Sequence, residues 1–211
     1  LGLPVLAMVR QLQTPVAHGP EALQMHADPS STECEDFRTL RTALALADKE
    51  ARQIVISSAE PADGKTTVLA NLAVCYAQSE KRTLLIDADL RRPGMTALLD
   101  MRSVGGLSGV IRGEGDVVKM ATAHVRASGI EGLDVLPSGP RPANPAELLA
   151  NPRFSELLAW AATVYDQVLI DSPPALATSD TAIIGRLVDG TVIVVQPEKN
   201  RRRSVTHAIE S

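Results

Sequence analysis

The sequence predicts an α/β fold, a doubly wound and mostly parallel sheet with helices on both faces. Two observations predict it. Short apolar runs at 54–56, 84–86, 133–136, 168–171 and 191–195 alternate with longer segments of helical periodicity, the pattern of repeated strand–helix–strand units. No hairpin signal separates neighbouring runs, so the strands must be joined by crossovers and lie parallel. Sheets of this kind hold their ligands beyond the carboxyl ends of the strands.

The first run opens the most informative stretch, Q-I-V-I-S-S-A-E-P-A-D-G-K-T-T at 53–67. Its β-branched residues give way to small ones, the chain turns through 61–64, and an amphipathic segment follows at 68–78. Strand, loop and helix in this order form a phosphate loop. Backbone N–H groups of Ala62, Asp63, Gly64, Lys65, Thr66 and Thr67, with the positive end of the helix, would wrap a polyphosphate. In that arrangement Lys65 neutralises outer phosphate oxygens and the Thr66 hydroxyl ligates magnesium. The match to G-x-x-x-x-G-K-[ST] is imperfect, because Ala59 replaces the first glycine and Ala62 occupies a second position where flexibility is wanted. Alanine costs energy wherever the backbone requires positive φ. Gly-Lys-Thr alone also fits an ordinary turn before a core helix, so two later segments carry the argument.

The run at 84–86 lies in L-L-I-D-A-D-L-R-R-P and ends in Asp87 and Asp89. Two carboxylates two residues apart on an extended segment face one side. A cation shared between them, such as the magnesium ion of a nucleotide, offsets their repulsion. The run at 168–171 is V-L-I-D, followed by Ser172, Pro173 and Pro174. It sets Asp171 at another strand tip, where a carboxylate can hold the hydration shell of magnesium or an attacking water. Each feature alone also fits a strand end or a helix cap. All three in this order describe a P-loop NTPase. Arg91 and Arg92 could add positive charge beside the site, or serve the surface.

The remaining elements follow from local signals. Residues 3–9 could form a short strand, whereas 14–31, with prolines, a glycine and histidines, read as an extended connector and a poor place to seek a core. The chain therefore divides into a connector at 1–31 and one P-loop domain at 32–211. Ser31 or Thr32 can cap a helix over 32–48, with acidic residues in its first turn. That helix carries Glu35, Arg38 and Arg41 at spacings of three, so their heads project from neighbouring positions, as an intrahelical ion pair or as a contact surface. The glycine-rich segment 105–115 lacks a following Lys-Ser/Thr and reads as a short helix between turns. The run at 133–136 leads into P-S-G-P-R-P-A-N-P, and helices follow at 146–150, 152–163 and 179–187.

Composition narrows the function. The 211 residues are 45% hydrophobic and 22% charged with a net charge of −4, an ordinary globular make-up without the basic excess that nucleic acid requires. Cys34 and Cys75, with four scattered histidines, give neither a disulfide framework nor a zinc site. No apolar run approaches the ~20 residues of a membrane-spanning helix. The sequence begins at Leu1 and stops at Ser211 within a pattern that is still helical, which reads as a fragment of a longer protein.

With these motifs the chain resembles the bacterial tyrosine kinases (BY-kinases) of capsule and exopolysaccharide systems, within the deviant-Walker phosphate-loop ATPases. S-S-A-E-P-A-D-G-K-T-T is similar to their Walker A, L-L-I-D-A-D-L-R-R-P to their additional Walker A′ box, V-L-I-D-S-P-P to Walker B, and L-P-S-G-P-R-P-A-N-P-A-E-L-L to the linker into the next helix. The A′ box is the specific one. The resemblance implies an ATP- and magnesium-dependent protein-tyrosine autokinase with Lys65, Asp87, Asp89 and Asp171 as catalytic residues. Thr66, Asp87 and Asp171 would hold magnesium, directly or through its waters, and Asp89 would accept or orient the tyrosine proton. It also turns Glu35, Arg38 and Arg41 into the family's E-x-x-R-x-x-R motif, which implies a ring-like homo-oligomer whose subunits phosphorylate one another. A membrane-anchored chain-length regulator, fused or separate, is the implied partner, and the inner face of the bacterial cell membrane the implied location. The start L-G-L-P-V-L resembles the junction after such a domain. Partition and cell-division ATPases of the MinD/ParA type carry a signature lysine five residues before the Walker lysine, and Glu60 stands there. The tyrosine-rich tail of the kinases is missing, leaving Tyr76 and Tyr165. The competing expectations are an ATPase switch of the MinD/ParA type and a non-catalytic nucleotide-binding scaffold.

Overall fold

The computed structural model describes residues 2–12, 16–46, 51–101 and 105–210. A 3-10 turn at Pro20–Ala22 leads into α1 (Gln24–Ala27) and α2 (Thr32–Ala45), then β1 (Gln53–Ser58), α3 (Lys65–Ala77) and β2 (Thr83–Asp87). Next come α4 (Gly94–Leu98), α5 (Leu107–Arg112), α6 (Val117–His124), β3 (Arg126–Ala127) and β4 (Leu133–Leu136). The chain continues through α7 (Pro145–Leu149), α8 (Pro152–Val164), β5 (Gln167–Asp171), α9 (Asp180–Gly185), β6 (Gly190–Val194) and α10 (Arg202–Glu210). The end of the helix expected over 32–48 falls partly outside the described residues.

The sheet has the order β3-β4-β2-β5-β1-β6. Its neighbours run parallel except β3, which pairs antiparallel with β4 at Arg126 and Ala127. The sequence pattern misses this short edge strand, since two residues are too few for any alternation to register. Side-chain alternation along the central strands splits the interior into two layers. Ile54 and Ile56 of β1, Leu85 of β2 and Leu169 of β5 meet α2 and α3. Val55, Leu84, Ile86, Val168 and Ile170 meet α5 and α8 on the other face, through Leu107, Val110, Phe154 and Leu157. Both faces of the sheet are thus covered, as buried parallel strands require. Helix α3 is enclosed, with every residue from 69 to 77 buried.

The amino-terminal segment departs from the sequence expectation in two ways. Residues 3–9 form no strand; instead Leu6, Ala7, Val9 and Leu12 pack against the core layer of α2 and α3. The Arg10 N–H and guanidinium bind Asp36 and the Thr32 carbonyl, so side-chain packing and polar pins replace sheet pairing. Nor is the stretch before Ser31 empty of core, because Leu23 is 1% exposed and Met25 0%. The backbone of Met25 explains the docking: its N–H donates to Asn71 Oδ1 at 2.9 Å and its carbonyl accepts from Gln78 Nε2 at 2.7 Å. Asn71 and Gln78 belong to α3 and its C-cap, so this helix binds the connector through backbone groups as well as apolar contact. Met25→Ala is expected to destabilise the chain by about 2–5 kcal/mol, the usual range for a truncated core methionine, as measured by denaturant unfolding.

Candidate active site

The carboxyl ends of β1, β2 and β5 meet because these strands are neighbours in register. Asp87 stands beside Asp171 across β2 and β5, and Ile56 stands beside Asp171 across β1 and β5. The loop leaving β1 therefore starts beside the Asp171 tip, and Lys65 and Thr66 at its far end reach back to Asp171. Gly64, in the left-handed region at φ 86°, is the N-cap of α3 and offers no side-chain cap. The first-turn N–H groups of a helix have no intrahelical acceptor, which leaves this end open to an anion. Ala62 also has positive φ, 62°, a conformation that costs an alanine on the order of 1 kcal/mol. Ala59 is fully buried and carries no such strain.

Lys65 is the centre of the polar cluster. Its Nζ lies 3.0 Å from Asp171 Oδ1 and 3.2 Å from Asp89 Oδ2, with 11% of its side chain exposed. The Thr66 hydroxyl donates to Asp171 Oδ2 at 2.9 Å. Burial works against the ammonium, but the Asp171 and Asp89 carboxylates outweigh it and raise the Lys65 pKa. Burial pushes the Asp171 carboxyl up, against the opposing pull of Lys65 and Thr66. Asp87 is lifted to about 7, first by burial and then by the neighbouring Asp171, while Thr96 opposes the shift.

Asp87 and Asp89 do different work. Asp87 Oδ2 accepts both the N–H and the hydroxyl of Thr96, each at 2.7 Å, and its Oδ1 accepts the Asp89 N–H at 3.2 Å. Thr96 Oγ1 in turn accepts the Ser138 N–H at 3.0 Å, which joins the P-S-G turn to the A′ box. Asp89 offers one oxygen to Lys65 and the other to the Arg92 N–H at 2.9 Å. Thr96 and Ser138 escape sequence reasoning, because nothing in a threonine nine residues past Asp87 marks it as a carboxylate partner. Arg91 is not a free positive charge: its Nε and Nη2 bind the fully buried carboxylate of Asp180 at 2.9 and 3.0 Å.

The donors fit the groups that the sequence implies. Thr66, Asp87 and Asp171 supply hard oxygen ligands of the type magnesium takes. Among the described residues, no cluster of three or more His, Cys, Asp or Glu could hold a metal ion alone. A cation here would therefore complete its shell from phosphate and water, the usual mode for magnesium at a nucleotide.

On α2 the three motif residues do not all project together. Glu35 pairs with Arg38, and Arg38 also donates to the Pro29 carbonyl at 2.6 Å. Arg41 turns inward to donate to the Cys75 carbonyl at 2.8 Å. Both tyrosines are structural: Tyr76 is 7% exposed and Tyr165 9%. The Tyr165 hydroxyl donates to Asp134 at 2.9 Å, and burial together with that carboxylate raises its pKa.

Comparison with known proteins places the chain and its fold in a family. The AAA domain family model matches residues 51–209. Tyrosine-protein kinase YwqD of Bacillus subtilis is 40% identical over 186 residues, covering 87% of this chain and 77% of the relative. A putative tyrosine-protein kinase, CapB of Staphylococcus aureus, is 34% identical, with 88% and 81% covered. Tyrosine-protein kinase wzc of Salmonella typhimurium is 40% identical over 84% of this chain, which spans 24% of that longer protein. Among solved structures, the chimerical protein CapA2B2 superposes with a TM-score of 0.87 at 33% identity, covering all of this chain and 88% of that one. The kinase domain of Escherichia coli tyrosine kinase ETK gives 0.87 at 32% identity, with 99% and 84% covered. The septum site-determining protein MinD of Pyrococcus horikoshii, at 24% identity and a TM-score of 0.61 over 75% of this chain and 65% of its own, shares the fold. Matched by the AAA model over most of its length, and covering more than three quarters of two relatives that carry the kinase name, this chain belongs to the bacterial tyrosine-protein kinases of capsule and exopolysaccharide systems.

Proposed function

We propose that this chain transfers the γ-phosphoryl group of magnesium-bound ATP to tyrosine hydroxyls on neighbouring subunits, and so regulates polymerisation and export of a capsular or extracellular polysaccharide. The observation that carries this reading is the position of Lys65 Nζ, within 3.2 Å of carboxylates from both the A′ box and the β5 tip. A lysine held there by two carboxylates is placed to exchange one of them for phosphate oxygens. Backbone N–H groups of Ala62 to Thr67 cradle the phosphates. Thr66, Asp87 and Asp171 would hold magnesium, directly or through water, and the ion would supply charge neutralisation at the phosphate oxygens. Asp89 accepts the tyrosine proton as the phenolate oxygen bonds to phosphorus and ADP departs. Phosphoryl transfer passes through a loose transition state, so positioning and charge neutralisation supply most of the acceleration.

Because both tyrosines of the chain are buried, the acceptor belongs to another segment or another molecule. The direct test is incubation with magnesium, labelled ATP and a tyrosine-rich acceptor peptide, followed by residue-specific detection of phosphotyrosine. Labelled phosphotyrosine supports the kinase. ATP hydrolysis that leaves every tyrosine unlabelled would replace it with a nucleotide switch, and nucleotide binding without either reaction with a scaffold.

The proposed assembly is a ring in which Glu35, Arg38 and Arg41 contact the next subunit; Glu35, with 67% of its side chain exposed, is the most available of the three to a partner. Glu35→Ala with Arg38→Ala is expected to lower the oligomer mass seen by light scattering and to cut transfer between subunits, with little change in nucleotide affinity. A membrane-anchored chain-length regulator, fused or separate, is the proposed partner, and the inner face of the membrane the proposed location. Among the described residues no helix is long and apolar enough to cross a membrane, so the anchor would come from that partner domain, for which the wzc relative, spanned to 24%, has ample room.

A further inference from the structure

The carboxylate of Asp63, one residue before Gly64, has its hydrogen bonds within the protein. Its Oδ2 accepts the Glu60 N–H at 2.8 Å, and its Oδ1 accepts from Lys199 Nζ at 2.7 Å and from Asn200 Nδ2 at 3.2 Å. Lys199 Nζ also donates to the Pro61 carbonyl. The two contacts of Lys199 therefore straddle Ala62, the residue that holds φ 62° without being glycine. Asn200 is itself fixed, since its Oδ1 accepts the Gln196 N–H at 2.7 Å. The Asp63 side chain is fully buried while 36% of Lys199 remains exposed, so the carboxylate gains a cation that keeps part of its hydration. A second anchor lies beside it: Val205 and Ala208 of α10 share a small buried apolar cluster with Ala175 and with Ala59 at the start of the loop.

We propose that Lys199 and Asn200, on the segment between β6 and α10, are positioning residues that hold the phosphate loop in its nucleotide-receiving conformation. The proposal rests on the nucleotide reading of the site. The link from Asp63 to Glu60 closes a turn within the loop, but a turn alone does not oblige Ala62 to stay in the left-handed region. The lysine does, by gripping the carbonyl before Ala62 and the carboxylate after it. Released, Ala62 relaxes toward negative φ, which turns the adjoining peptide planes and the N–H groups that they carry. Nucleotide must then restore that order, and the cost is taken from its affinity.

The test compares the whole chain with Lys199→Met, Lys199→Arg and Asn200→Ala, by calorimetric titration with ADP in magnesium and by thermal unfolding without nucleotide. Lys199→Met is expected to weaken ADP binding about tenfold, the scale of one lost hydrogen bond to a charged group. Asn200→Ala should weaken it less, and Lys199→Arg, which keeps charge and donors, should restore most of the affinity. Lys199→Met or Asn200→Ala with ADP affinity within twofold of the unsubstituted chain, whatever its melting temperature, would overturn the proposal. Equal loss in Lys199→Arg and Lys199→Met would overturn it too. If Lys199→Met fails to fold, Asn200→Ala decides on the same criterion. Failure of the unsubstituted chain to bind ADP would bring down the nucleotide reading and this proposal with it, whereas tight binding there with unchanged variants would remove this proposal alone.

Discussion

Lys65→Met is expected to lower phosphoryl transfer by ~10³-fold or more, because on the proposed reading it removes a side-chain cation that would meet the transferred group. Stability should fall as well. Lys65 Nζ is the ion-pair partner of both Asp171 and Asp89. Methionine fills much of the same volume but leaves two carboxylates facing each other in a buried site. Breaking a buried pair from one side costs about 3–5 kcal/mol. Part of this will be recovered by protonation, since burial already raises the Asp171 pKa. Thermal unfolding beside a transfer assay separates the two effects, because a stability loss alone would leave transfer intact at a temperature where the variant is folded. Normal transfer by a folded Lys65→Met chain would remove Lys65 from the site.

Asp89→Asn is expected to suppress phosphotyrosine formation by ~10²–10⁴-fold, the usual contribution of a general base, while nucleotide still binds. The substitution is nearly isosteric. The amide can offer its single carbonyl oxygen to Lys65 or to the Arg92 N–H, but not to both, as the carboxylate does. A modest loss of nucleotide affinity is therefore expected alongside the much larger loss of transfer. If phosphotyrosine forms at the normal rate, Asp89 merely holds Lys65, and the tyrosine proton leaves by another route. ATP affinity falling in parallel with transfer would likewise make Asp89 a binding residue.

Much of the architecture was legible because it depends on short-range signals. Apolar runs ending in Asp87 and Asp171 marked strands whose tips lie side by side in β2 and β5. The phosphate loop was recognisable despite Ala59 and Ala62, since a lysine and a threonine at the start of a helix carry their chemistry whatever residue begins the loop. Even the cost of alanine was foreseen, though it falls at Ala62 and not at Ala59. The segment before α2 misled, because proline, glycine and histidine report local conformation only. Whether Leu23 and Met25 are buried depends on Asn71 and Gln78 in α3, 46 and 53 residues from Met25, and no local pattern encodes a contact at that distance.

The sequence by itself determined which residues are candidates for phosphate, cation and proton chemistry, and which strand tips carry them, since backbone propensity and side-chain type act locally. The tertiary structure alone decided how those groups are divided. It gave Asp89 to Lys65 and Asp87 to Thr96, drew Arg91 away to Asp180, turned Arg41 inward to α3, and fastened Asp63 to Lys199. Each of these pairings is a choice among several charged or polar partners of similar chemistry. Only the three-dimensional path of the chain sets the few ångströms that separate the partner chosen from the others.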